Sequence, residues 1–159
     1  MLRPGMRAYL IPLVAGLVLA MSAFLPWVIV GEVSLRGVPD TMALYIVGLG
    51  IVASVLAVLS MMTRKNSRHP LLVIGLLALG IMFLSWRILP QTIERRARTV
   101  TQAHEIVEGR VPTAGPRAAV GSGIYLGLLS SMAIVGFGLT IVVRRAATVY
   151  TVADPDDDV

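Results

Sequence analysis

The sequence predicts an all-α membrane protein: a four-transmembrane-helix bundle with a short outer β-hairpin and an outer amphipathic helix. Three observations carry this. Of 159 residues, 56% are hydrophobic and only 14% charged, where a soluble domain carries about 25% charged residues. The apolar residues form four long blocks rather than following a strand or surface-helix period. Trp27, Tyr45, Trp86 and Tyr125 fall one per block at the loop-side ends, and Tyr9 marks the opposite interface. Such rings act as interface anchors because an apolar body carries a polar tip that needs water. The chain reads as a single integral membrane domain over 1–159, with spans at about 8–27, 42–62, 71–89 and 123–143. Outer loops occupy 28–41 and 90–122, and a cytoplasmic tail, 144–159, is disordered near its acidic end.

Arg3 and Arg7 precede the first apolar run, Ala8–Val30. A cleaved signal peptide is the competing reading, with Ala20-Met21-Ser22 as a weak cleavage site. Cleavage would leave Phe24-Leu25-Pro26-Trp27-Val28-Ile29-Val30 exposed at a new terminus, so an uncleaved span is favoured. Pro12 suits the first turns, and Pro26 biases Leu25 away from helix, which ends the first helix near Leu25. From Glu32 polar and apolar residues alternate, and Gly31-Glu32 suits a two-residue type II′ turn. These features predict a short outer hairpin; the alternative is a helix running to Val30 and then loop.

Asp40, after Pro39, is an N-cap for the second span, Met42–Met62, where Gly50 and Ser54 stand in a small-xxx-small relation. A tight basic loop, Thr63–His69, leads to Pro70 as a first-turn proline of the third span. Pro90 should kink or end that span. Ile93, Ala97, Val100, His104 and Val107 then share one helix face, which predicts an amphipathic helix from about Thr92 to Glu108 stopped by Gly109. It either continues the third span or lies on the bilayer surface. Val111-Pro112-Thr113-Ala114-Gly115-Pro116 reads as turn chemistry leading back to the fourth span. The last span is uncharged from Gly121 to Val143, and Gly123, Gly127 and Ser131 recur every fourth position, with Gly138 a heptad later. That groove of small residues admits a close helix, most simply as an internal seam.

The termini side carries its arginines and lysine in short segments against the spans, and the other side dilutes them over longer loops. The positive-inside rule therefore places both termini in the cytoplasm. With no cysteine, thiol and disulfide chemistry are excluded. The net charge of +5 belongs to arginines facing head groups, so nucleic acid is not an expected partner. No ionisable residue lies in mid-span, which argues against proton pumps and ion-coupled transporters. His69 and His104 lie on opposite sides and cannot bracket one cofactor, so no cofactor or metal is expected. Arg87 either snorkels to the head groups or pairs with Glu32 or Asp40. Arg95, Arg96 and Arg98, beside the apolar Ile93, Val100 and Val107, form either a solvated face or a contact for an acidic partner or anionic lipid.

At Ala23-Phe24-Leu25-Pro26-Trp27, Gly37-Val38-Pro39-Asp40-Thr41 and Gly121-Ser122-Gly123-Ile124-Tyr125-Leu126, the chain resembles small bacterial four-span proteins of the tryptophan-biosynthesis-associated membrane protein type. The resemblance implies a Leu-Pro-Trp exit from span one, a Gly-x-x-Asp-x opening of span two and a Gly-x-Gly start to span four. It implies no activity. The topology is also similar to that of claudin-like tetraspans, whose paired outer-loop cysteines are absent here.

The expected function is therefore non-enzymatic: an accessory, assembly or scaffold subunit whose partners are the lipid bilayer and another membrane protein. The alternative is a small transporter or channel for an apolar or weakly polar solute, with Ser54, Ser130, Ser131 and Thr140 as the only pore candidates. An enzyme acting at the outer interface through Glu32, Asp40 or His104 ranks below both.

Overall fold

The computed structural model describes residues 9–63, 68–109 and 117–149. Expectations for Arg3 and Arg7, for the loop arginine and lysine at 64–65, for the turn at 111–116 and for the acidic tail lie outside the described residues. The elements run α1 Leu10–Ser22, β1 Pro26–Val30, β2 Val33–Arg36, α2 Thr41–Thr63, α3 Arg68–Val107, β3 Ala118–Val120 and α4 Ser122–Val149. The chain is a mostly helical membrane protein. Among the described residues, α2, α3 and α4 are long and apolar enough to cross a bilayer, and α1 is a shorter apolar helix.

The first helix ends earlier than expected. It closes at Ser22, and Pro26 and Trp27 belong to β1 rather than to a span reaching residue 27. Its 13 residues rise about 20 Å. Pro26 favours the exit, since it biases Leu25 away from helical dihedrals. The expected hairpin then forms. Gly31, at φ 60°, opens a two-residue turn with Val30 opposite Val33.

The sheet holds one strand more than the sequence indicated. β3 pairs antiparallel with β1 through Val28–Val120, Ile29–Ala119 and Val30–Ala118, so the order is β2-β1-β3. Ala-Ala-Val is a weak strand signal by itself; the unpaired backbone of β1 recruits it.

β1 is irregular at the residue that matters most. Pro26 faces Arg36 and Val28 faces Leu35, which leaves Trp27 as the extra residue of a bulge. A bulge re-aims a side chain, and here Trp27 and Val28 are both buried although they are neighbours in a strand. The indole is 1% exposed, and its Nε1–H donates to the Ser22 carbonyl at 3.0 Å.

α3 runs unbroken through Pro90, so the outer amphipathic segment continues the third span. Proline in a helix interior costs about 3 kcal/mol. Packing offsets it: the half of α3 beyond the proline leans on β3 and β1, with Leu89 and Ile93 against the core. The helix stops as expected, with Gly109 at φ 68° and its N–H donating to the Ile106 carbonyl. α4 also exceeds its expected length, reaching Val149 rather than stopping at Val143, so the first part of the tail is helical.

Replacing Trp27 by alanine should destabilise the protein by about 3–5 kcal/mol. Trp27→Phe, which keeps the bulk and loses the bond to Ser22, should cost about 1 kcal/mol. Equilibrium unfolding in mixed detergent micelles measures both. A Trp27→Ala protein as stable as the parent would refute the placement of the indole.

Candidate functional site

Two surfaces stand out: a seam of small residues inside the bundle and an apolar groove outside it. The seam has two halves. On α2 the buried positions Ala43, Ile46, Gly50, Ala53, Ala57 and Ser60 step by three and four. All but Ile46 are small, so the backbone of α1 comes close. A Cβ built on Gly50 would stand 2.6 Å from the Gly16 carbonyl oxygen and 2.7 Å from the Ala20 nitrogen. Ser54 donates to the Gly50 carbonyl at 2.9 Å and faces the Leu13 carbonyl of α1 at 3.4 Å. The partner of the Gly50–Ser54 face is therefore α1, through Gly16 and Ala20, a small-xxx-small pair absent from the faces expected from the sequence.

On α4, Gly123, Gly127, Ser131 and Gly138 are all buried within the chain. Gly123 lies under the Trp27 ring and the Ser22 carbonyl. Gly127 receives the tip of Met82 from α3, Gly138 receives Leu72, and Ser131 donates to the Leu128 carbonyl at 2.9 Å. The buried positions of α3, Leu71, Gly75, Ala78, Met82 and Ser85, again step by four and three, and a Cβ on Gly75 would stand 2.9 Å from Val135 of α4. The groove expected from the sequence is filled by this chain's own side chains.

The aromatic rings divide by role. Tyr45 and Tyr125 are exposed on the outside of the bundle. Trp86 is half-buried beside Phe83, with ring centroids 5.8 Å apart. Tyr9 and Trp27 point inward instead. Tyr9 meets Phe137 edge to face at 5.1 Å, which ties the start of α1 to α4 far from the sheet.

The outer groove measures about 590 Å³ and lies between the sheet and α3. Val30, Val33 and Leu35 form one wall, and Ile93, Ala97, Val100 and Thr101 the other, with Arg96 on its rim. Arg98 binds Glu94 on a different flank, next to Arg95. His104 pairs with Glu108 at 3.0 Å. Val107 projects past the sheet, 85% exposed. Among the described residues Arg87 makes no ion pair with Glu32 or Asp40 and is exposed, an orientation that suits snorkelling. Asp40 sits at the start of α2, where its carbonyl accepts the Leu44 N–H at 3.1 Å.

Among the described residues no group of three or more His, Asp or Glu side chains is placed to hold a metal. No protein-family model matches the chain, and no curated protein or solved structure matches it either. Any role must therefore be argued from the surfaces themselves.

The two halves of the seam differ in what blocks a larger residue. At Gly50 it is backbone, and at Gly127 the end of a flexible methionine. Gly50→Ala should thus cost about 2–3 kcal/mol and Gly127→Ala about 1 kcal/mol. Gly127→Leu should destabilise strongly, with partial rescue by Met82→Ala in the double variant, read by unfolding in detergent. Absence of coupling between positions 127 and 82 would contradict the packing described.

Proposed function

We propose that this protein is a non-enzymatic, multi-pass accessory, assembly or scaffold subunit of a larger membrane complex. In this reading α1 crosses with the other three helices. Support comes from its course, which runs from the depth of Phe137 on α4 up to the sheet. Both termini then lie on one side, taken as the cytoplasm of a bacterial plasma membrane by the positive-inside rule.

The observation that carries the reading is α3 beyond Pro90. The apolar run of the span ends at Leu89. Val100 and Val107 then lie about 16 Å and 27 Å further along the helix axis, and they are 69% and 85% exposed. Lipid tails do not reach that level, and water is a poor solvent for a row of valines. A protein surface is the cover that fits. The transporter reading has less support. Ser130 and Ser131 donate to the Leu126 and Leu128 carbonyls of their own helix, and Met82 fills the space beside Gly127.

In mild detergent from native membranes the chain should co-purify with a partner in fixed stoichiometry. Val107→Glu should weaken that association and leave unfolding stability within about 0.5 kcal/mol, as expected for an exposed site. A monodisperse monomer that retains no protein would end the accessory reading.

A further inference from the structure

We propose that the outer groove receives an amphipathic helix of a partner protein, with an acidic side chain of that helix set against Arg96. The proposal rests on the accessory reading and names the chemistry of the partner.

The groove exists because one helix is too narrow for three strands. A helix is about 10 Å across and strands lie about 4.8 Å apart. α3 packs on β3 and β1. The inner face of β2 stays open, and it is apolar: Val33 stands opposite Val30, and Leu35 opposite the fully buried Val28. Residues directly opposite in an antiparallel pair share a face, so Val33 and Leu35 extend the core face of the sheet into the open. Val33 is nevertheless 62% exposed.

The other wall sets the direction of the occupant. Ile93, Ala97, Val100, His104 and Val107 occur at steps of four, three, four and three. Such a seam accepts a second helix lying alongside. It spans about 21 Å, starting in the groove and continuing past the top of the sheet.

Charge then separates the candidates. Among the described residues Arg96 is the only charged side chain lining the groove, and no acid lines it. Among the described residues Arg96 has no ion pair, whereas neighbouring Arg98 is held by Glu94. A symmetric second copy would bring another Arg96 to a groove that no carboxylate among the described residues lines, and like charges brought together across an interface are disfavoured. An acyl chain would fill the lower groove and leave Val107 bare. A partner strand needs a sheet edge, and this groove opens on the face of β2. A helix with an apolar stripe and an Asp or Glu at the level of Arg96 covers the valines and satisfies the cation together.

The test uses the full-length chain in native membranes. The photoreactive residue p-benzoylphenylalanine is introduced at Val33 or at Val100, with a control at Leu129 on the outside of α4. Adducts are digested and sequenced. Both groove positions should capture the same segment of one protein. That segment should carry apolar residues at steps of three and four, and an acid among them. Arg96→Glu should lower both yields at least about fivefold, as for reversal of a charge at an interface. Arg96→Lys should retain most of the yield, and the Leu129 control should not change. Adducts to phospholipid, to a second copy or to a segment without acids would overturn the proposal, as would yields indifferent to Arg96→Glu. If the chain co-purifies with a partner that neither groove position captures, the groove assignment fails and the accessory reading survives. If the chain purifies alone, both fail.

Discussion

The indole of Trp27, held between glycines, is the contact on which the rest of the structure depends. Its Nε1–H closes on the carbonyl that ends α1. Gly37, just before α2, and Gly123, at the start of α4, both lie against the ring, where a Cβ would come within 2.6 Å and 2.7 Å of it. The Trp27 carbonyl accepts the Gly121 N–H at 2.7 Å, and the Val38 N–H returns to Ala23 at 2.9 Å. One side chain thus sets the exit of α1, the approach to α2 and the start of α4. The three short motifs singled out in the sequence, around Trp27, Gly37 and Gly121, meet here, the third arriving only after α2 and α3. Their glycines are there for space, because the ring takes the volume that side chains would fill.

Below this node the bundle is held by close contact rather than by apolar burial. Lipid tails are as apolar as leucine, so helices in a bilayer gain little by hiding leucines from their surroundings. The chain obeys that logic. Gly16, Gly50, Gly75, Gly127 and the buried serines line the contacts, and Leu17, Val55, Phe83 and Leu129 face outward. The buried hydroxyls of Ser22, Ser54, Ser130 and Ser131 are satisfied by carbonyls of their own helices. They serve packing with their polar groups paired, as a bilayer requires; the Ser60 hydroxyl of α2 is the exception, buried with no hydrogen-bond partner among the described residues.

Above the node the same chain builds something suited to water. α3 survives Pro90 because the sheet gives its outer half a surface to pack on, and the sheet in turn gains β3 because the loop from α3 must return to Trp27 before α4 begins. The result is a platform, an α/β layer on a helical stem, whose apolar content exceeds what its own elements can cover. That excess distinguishes the chain from a bundle meant only to fill lipid, and the accessory reading grows out of it.

The sequence by itself determined the membrane class, three of the four spans it indicated, the hairpin turn at Gly31, the stop at Gly109 and the small-residue faces. Each depends on composition or on a few neighbouring residues, so local physics decides it. It also placed the apolar stripe from Ile93 to Val107 on one face, which is half of the groove. Tertiary structure decided the rest. The alternation of β1 would send Trp27 and Val28 to opposite faces, and only the bulge against β2 buries both. Ala118–Val120 is a strand because β1 offers a free edge, and Pro90 is tolerated because a sheet lies beside it. Gly50 meets Gly16 rather than α4, a choice among helices that spacing within one helix does not encode. The uncovered face of β2 arises from the width of one helix against three strands, a relation between elements far apart in the chain.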